Sequence, residues 1–339
     1  MIRSFVAAMT SERLVGLMLV ALCLITGLAN QAFFSLATVF DTLRNLTVVG
    51  ILGMAVLVVM LTGGIDVSFP AIAALTSYST IRIFIALGLD GPLIAIFALA
   101  VVFGVLLGLA DALMVALLRL PALIVTLGTS SLVYGFNLFF LGSQNLFNVP
   151  KTLVAFSHSS LLQVADAQGR TWSLHPMILV FVAVALIIAA VLRYTVFGRS
   201  LYAIGSSRES AERIGLPVKA SEALAFVVAG ALAAIAGVIQ VIFFRNANPG
   251  AFSGVELDII AAVVLGGVSI AGGRGSVLGA LAGLTFVVLL SSSLVLIGIP
   301  AAWQKVFVGC ALILGIGLSG WRAGRAERLS PIPHSRMKD

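Results

Sequence analysis

The sequence predicts an all-α, polytopic membrane helix bundle with about ten transmembrane helices, some of them broken or short. Three observations carry that reading. Apolar residues make up 60% and charged residues 10% of the 339, and mean hydropathy is +1.17, values foreign to a soluble domain of this length. The apolar residues fall in runs close to the ~20 that an α-helix needs to cross the hydrocarbon core. The cations between the runs are distributed unevenly, as the positive-inside rule requires.

In chain order the runs are 14–33, 43–62, 66–87, 92–118, 121–141, 177–194, 221–244, 257–271, 276–297 and 301–321. The first has no small-residue cleavage site after it and is expected to remain as an anchor. The run 257–271 is short, about 22 Å at ~1.5 Å per residue, and is expected to be a broken or partly re-entrant helix. With the N-terminus in the cytoplasm and the runs alternating, fourteen of the 20 lysines and arginines fall inside and six outside. The net charge of +7 is then a product of topology, and a nucleic-acid partner need not be invoked. Residues 1–339 read as one transmembrane domain with a long outer loop at 142–176, a charged inner loop at 197–220 and a basic inner tail at 322–339, near anionic lipid. Cys23 and Cys310 lie inside apolar runs and read as packing residues rather than a disulfide.

The loop 197–220 carries the signals of a short helix. Ser206 and Glu209 have capping-box spacing, Glu209 stands four residues before Arg213 in the favourable order, and Gly215 with Pro217 stops the helix. It reads as a rigid knob for docking on another protein or as an ordinary polar connector. The outer loop has apolar pieces at Leu146-Phe147 and Leu161-Leu162 and turn signals at Asn148-Val149-Pro150 and Gln168-Gly169-Arg170. It reads as a lid where a delivery protein lands or as a plain cover over helix ends. His158 and His175 have no companions at metal spacing and read as loop histidines.

Two glycine-pair hairpins interrupt the apolar pattern. The first is Thr62-Gly63-Gly64-Ile65-Asp66-Val67-Ser68, with Asp66 near the N-terminus of the next helix, where free amides and the helix dipole stabilise a carboxylate. A capping role and a direct part in gating both fit Asp66. In the second, Glu256 and Asp258 head an apolar run that reaches Gly266-Gly267 and then Gly272-Gly273-Arg274. Irregular backbone at membrane depth is tolerated only inside protein or beside a water-filled cavity. Gly104 and Gly108 have the spacing of close helix packing. Asp111, which follows them, is expected to reach water or Arg119 and to be structural. Asn45, Asn137, Ser291, Ser292, Trp303 and Gln304 are polar or amphipathic groups scattered over several spans, and form the candidate solute path.

No G-x-x-x-x-G-K-[ST] phosphate loop occurs, and the Gly-Gly-Arg-Gly turn lacks its lysine and strand. No nucleophile, base and orienter group together. The chain reads as a non-catalytic membrane protein with no cofactor of its own.

The ordered series Glu256-Leu257-Asp258, Ala262-Val263-Val264, Gly266-Gly267 and Gly272-Gly273-Arg274-Gly275 resembles the last third of permease subunits from bacterial ABC importers. These are the ribose, galactose and autoinducer type of the branched-chain amino-acid permease superfamily. Thr62 to Ser68, Phe197-Gly198-Arg199, Ala203-Ile204-Gly205 and Leu120 to Thr129 extend the resemblance over most of 43–315. Departures are Phe69-Pro70, Asp111-Ala112, Ser206-Ser207 and Ile214-Gly215-Leu216. The resemblance implies translocation of a small sugar, a pentose or hexose, by alternating access across the bacterial inner membrane. It implies that 197–220 is a cytoplasmic coupling loop, with Arg199, Gly205, Ser206, Ser207, Glu209, Glu212, Arg213 and Gly215 as ATPase-coupling residues, and that 142–176 is periplasmic. Gly63, Gly64, Asp66, Glu256, Asp258, Gly272, Gly273 and Arg274 become hairpin or gating residues. The implied partners are cytoplasmic ATPase subunits that bind ATP and magnesium, a periplasmic substrate-binding protein and a second permease chain, the same or different. The rival is a proton-coupled secondary transporter of a small polar solute using Asp111, Asp258 or Glu256; a passive channel is a third reading.

Overall fold

Buried polar side chains mark where this bundle departs from plain apolar packing, and Asp66, Ser68, Asp111 and Thr126 gather at the first glycine hairpin. The computed structural model describes residues 11–165, 171–300, 303–314 and 317. The basic tail 322–339 and the turn signal Gln168-Gly169-Arg170 lie outside the described residues.

Helix α1 spans Ser11–Ala29 and a 3-10 turn covers Gln31–Phe34. α2 is Leu36–Met60, started by Ser35, whose hydroxyl accepts the Thr38 amide. α3 is Phe69–Ala86, with Pro70 in its first turn, where no intrahelical amide bond is lost. α4 is Leu93–Ala112 and α5 is Ala122–Phe136, and both end in π-helical turns, Leu113–Leu117 and Asn137–Leu141. In the loop 142–176 come a short helix α6, Lys151–Ser157, and two antiparallel strands, β1 Leu162–Ala165 and β2 Thr171–Leu174. Then follow α7 Met177–Tyr194, α8 Val196–Ser206, α9 Arg208–Arg213, α10 Val218–Phe244, α11 Glu256–Leu265, α12 Val277–Leu296 and α13 Trp303–Leu314.

Among the described residues seven helices are long and apolar enough to cross a bilayer, and the chain is a multi-pass helical membrane protein. α2 starts at Leu36, earlier than the run from 43, because Ser35 supplies the cap. The short run at 257 is a helix of 10 residues. It stops because Gly267 takes a positive φ of 97° and the chain then turns back through Gly275.

α10 is the centre of the bundle, packed on α2, α3 and α4. In lipid, helices gain little from hiding apolar surface and associate through close packing instead. Gly104 faces Gly230 so closely that a Cβ on Gly104 would lie 2.3 Å from the Gly230 carbonyl oxygen. Gly108 meets the Phe226 carbonyl in the same way, at 2.5 Å. One alanine at either position would push the two helices apart.

The loop 142–176 is tied down by its backbone. Leu146 and Ala247 exchange both amide bonds at 2.9 Å, and Asn137 donates through Nδ2 to the Pro249 carbonyl at 3.0 Å. The start of the loop 142–176 and the loop after α10 are therefore joined through Leu146 and Ala247.

Candidate functional site

Between α2, α10, α11, α12 and α13 lies a cavity of about 370 Å³, within the ~300–1,000 Å³ typical of small-molecule sites. Its walls are mostly apolar, and its polar groups include Arg44, Asn45, Gln240, Asp258, Ser291 and Gln304, with Ser292 beside Ser291. The Arg44 guanidinium donates to the Phe243 carbonyl and stacks 4.9 Å from the Phe243 ring centroid. A second cavity of about 320 Å³ shares the Arg44, Asn45, Phe244, Ser292 and Val295 walls and continues the space toward Thr38 and Asp41. Such a surface, apolar with convergent amides, hydroxyls and one charge of each sign, suits a small hydrogen-bonding solute.

Four of the six sequence-predicted path residues, Asn45, Ser291, Ser292 and Gln304, come together on this cavity from three helices. Asn137 and Trp303 do not line it. Asn137 is fully buried and holds the loop through Pro249, while Trp303 is 59% exposed on the outside of α13. Gln240, which the sequence reading passed over, stands in the wall. Its signal was a lone amide in the 27-residue apolar stretch of α10.

The first glycine hairpin is held by a buried polar chain. Asp66 Oδ1 accepts the Ser68 amide at 2.7 Å and the Ser68 hydroxyl lies 2.6 Å from the same oxygen, closing the start of α3. Ser68 Oγ also lies 2.9 Å from Asp111 Oδ2, and Thr129 Oγ1 donates to Asp111 Oδ1 at 2.5 Å. Asp111 is 1% exposed and its partners are these hydroxyls, so the expected contact with Arg119 or water is replaced. The reason is the fold: the hairpin brings Ser68 against α4 at that depth. Thr126 completes the support, accepting the Val67 amide and donating to the Ile65 carbonyl.

In the second hairpin Glu256 and Asp258 occupy the first turn of α11, where the exposed amides favour carboxylates, and Asp258 reaches the cavity wall. Arg274 is exposed at the turn, whose carbonyl accepts the Ser269 amide at 2.9 Å. Gly63 and Gly272 meet backbone to backbone, joining the two hairpins; a Cβ on Gly272 would be 2.5 Å from the Gly63 nitrogen.

In the loop 197–220 the helix cap is shifted by one residue from the sequence expectation. Ser206 is still helical, its hydroxyl bonded back to the Tyr202 carbonyl, whereas Ser207 is extended and accepts the Ser210 amide at 3.2 Å. Glu209 pairs with Arg213, as their four-residue spacing offers, an exposed bond worth only about 0.3–0.5 kcal/mol. Arg199 is exposed on α8, and Gly215 ends α9 with φ at 81°. Two residues outside the sequence expectation tie the knob down: Arg208 bonds to buried Glu222 of α10 and lies 3.4 Å from Glu212. Only the fold reveals that pair, because α9 must first lie across the start of α10.

In the loop 142–176 the half-buried His175 ring is fixed as one tautomer. Its Nδ1 accepts the Met177 amide at 3.2 Å, so Nε2 donates to the Phe156 carbonyl at 3.1 Å. Burial, reinforced by the Arg44 charge, holds its pKa below the usual histidine value. His158 is exposed.

The family model described as the permease component of the branched-chain amino acid transport system matches residues 38–316. Among curated proteins the chain is 34% identical over 296 residues to the autoinducer 2 import system permease protein LsrC of Enterobacter sp. (strain 638), covering 86% of this chain and 81% of that protein. It is 32% identical over 326 residues to the protein of that name from Klebsiella pneumoniae, covering 94% and 90%. The Escherichia coli protein of that name is 31% identical over 307 residues, covering 90% and 85%. No solved structure matches.

Proposed function

This chain belongs to the family of permease components of branched-chain amino acid transport systems, and from that premise we propose that it is the translocating subunit of an ATP-driven importer for a small polar solute. The single observation that carries the reading is the cavity between α2, α10, α11, α12 and α13, where apolar walls and convergent amides and hydroxyls suit a sugar-like molecule. The relatives named as autoinducer 2 import permeases support a furanosyl solute, with pentoses and hexoses as its neighbours in shape and hydrogen bonding. The chain sits in the bacterial inner membrane with both termini in the cytoplasm, so that the glycine hairpins and α9 face the cytoplasm and the loop 142–176 the periplasm.

In this reading ATP and magnesium belong to separate ATPase subunits docked on α9. A periplasmic binding protein delivers solute to the loop 142–176, and a second permease chain completes the assembly. Arg199, Glu209, Glu212 and Arg213 offer exposed or half-exposed charge at the docking face. The solute moves by alternating access, which requires the ATPase to contact the two states of the bundle differently.

Tagged permease, purified gently from its native host, is expected to bring down an ATPase. Proteoliposomes of that complex with its binding protein should take up a labelled pentose, hexose or autoinducer 2 only with ATP. The proton-coupled rival uses Asp111, Asp258 or Glu256, and Asp111 is the one buried, beside Ser68 and Thr129. Uptake by the permease alone under a pH gradient would replace the importer reading with that rival.

A further inference from the structure

Three segments far apart in sequence meet at one point without side chains between them. The Gly273 amide donates to the Leu61 carbonyl at 3.0 Å, joining the turn after α11 to the end of α2. Gly205, in the last turn of α8, lies against both: a Cβ there would be 2.1 Å from the Leu61 oxygen and 2.2 Å from the Gly273 nitrogen. Gly272 closes the remaining side, its Cβ position 2.8 Å from the Gly205 Cα. A single hydroxyl reinforces the contact, Tyr202 donating to the Gly275 carbonyl at 3.0 Å. Gly205 therefore points inward, into the bundle, and Ser207 and Arg208 begin α9 immediately beyond it.

Two of the joined elements are walls of the cavity. α2 carries Asn45 and α11 carries Asp258 on its surface. Between the junction and the cavity α11 is itself locked to α12, with Gly283 against the Ala262 carbonyl and Gly266 against the Gly279 carbonyl. Side-chain contacts absorb displacement by changing rotamer, but touching backbones have no rotamers to change, and close-packed interiors transmit strain. A movement of α8 must therefore reach α2 and α11 together or break the junction.

We propose that this three-way backbone junction is the link that carries displacement of α8 and α9 to the cavity walls, with Tyr202, Gly205 and Gly272 as positioning residues of the transport cycle. The proposal rests on the importer reading, and it converts Gly205 from a residue of the docking face into one of the transmission. Gly272 and Gly273 leave room for the α8 backbone at Gly205, while the first hairpin reaches it through the Leu61 carbonyl.

The test uses the complete complex of permease, ATPase and binding protein in proteoliposomes, reading solute uptake and ATP hydrolysis in parallel. Tyr202→Phe removes one hydroxyl and adds no bulk. It is expected to retain hydrolysis while uptake per ATP falls about two- to tenfold, the weight of one hydrogen bond. Gly205→Ala forces the backbones apart and is expected to reduce uptake at least about tenfold, within the usual range of coupling energies. Gly16→Ala, where a Cβ meets nothing within 4 Å, is the control and should match the native chain. Should the Gly205 variant fail to assemble, the uptake-to-hydrolysis ratio of Tyr202→Phe decides alone. A ratio within twofold of native in every variant that assembles overturns the junction proposal while leaving the importer reading intact. A native preparation that transports without any ATPase removes the importer reading itself, and the junction proposal with it.

Discussion

The two ends of the bundle are closed with opposite materials. At the end bearing the glycine hairpins, backbones of α2, α8 and the turn after α11 touch directly, and Asp66, Ser68, Asp111 and Thr129 form a buried polar chain. At the other end lie cavities of about 370 and 320 Å³ lined by side chains, with Ala251 and Phe252 of the loop after α10 in the wall of the first. Glycine contact fixes distance where backbones touch, and the cavity of about 390 Å³ at the same end lies beside that contact, lined by Gly63, Gly64, Arg119, Arg208 and Glu222. A side-chain-lined cavity fixes chemistry and tolerates variation. Substitutions at the first end should therefore damage stability or coupling, and those at the second should alter which solute is handled.

The hardest blow to that contrast is Gly272→Val. It places a β-branched residue at a φ of 84° with the Gly63 backbone 2.5 Å from its Cβ. The expected loss is about 1–3 kcal/mol for the left-handed conformation and about 1–3 kcal/mol for overpacking. Thermal melting of the purified permease measures it, and an unchanged melting point would show that the junction is loose.

Glu222→Ala comes next. It strips the buried partner from Arg208 and leaves the guanidinium with only the Glu212 carboxylate at 3.4 Å, beside a cavity of about 390 Å³, a loss of about 1–3 kcal/mol. Amide exchange in Arg208–Arg213 should accelerate while α10 stays protected; equal protection in variant and native chain would mean α9 is held by its apolar contacts alone.

At the opposite end Gln240→Leu is expected to leave melting nearly unchanged and to raise the uptake KM about two- to tenfold, one hydrogen bond's worth. A KM that does not move for any transported solute takes Gln240 out of the path. Close by, His175 makes the loop 142–176 pH-sensitive. Because its folded pKa is depressed, its contribution to stability is present above its ordinary value of 6.5 and is lost as pH falls below it. Limited proteolysis of the loop 142–176 should quicken at pH 5.5 relative to 7.5, and His175→Gln should abolish that difference.

The smallest expected effect is Asp111→Asn. The amide can donate to Ser68 and accept from Thr129, so the chain of bonds to Asp66 survives. Uptake should stay within about twofold of native, below the worth of one hydrogen bond. Complete loss would point to a proton carried at Asp111 and revive the proton-coupled reading.

Much of this architecture was legible because lipid leaves a chain few choices. Apolar runs must be helices that satisfy their own backbones, so the spans, the short run at 257 and the two glycine turns could be read directly. The close contact of Gly104 was also written in its spacing, though its partner Gly230 was not. Contacts between elements were the weak point. Asp111 was expected beside Arg119, and the fold gave it Ser68 and Thr129. Ser206 was expected to cap α9, and the chain's extended turn at Ser207 moved the cap along by one. The lining of the cavity was half legible: polar groups in apolar helices stand out, but which helix face they occupy after packing does not. Hence Asn45 and Ser291 reached the cavity while Asn137 became a staple and Trp303 an outer residue.

The sequence by itself determined that this is a multi-pass helical membrane protein with glycine-broken hairpins and a charged helix between its long spans. Hydropathy, turn chemistry and capping act over a few residues and are written locally. Only the tertiary structure decided that Leu61, Gly205 and Gly273 touch, that Arg208 finds Glu222, and that Gln240 faces the cavity. Those pairings join positions tens to hundreds of residues apart, and they exist only once helix packing has fixed distance and rotation together.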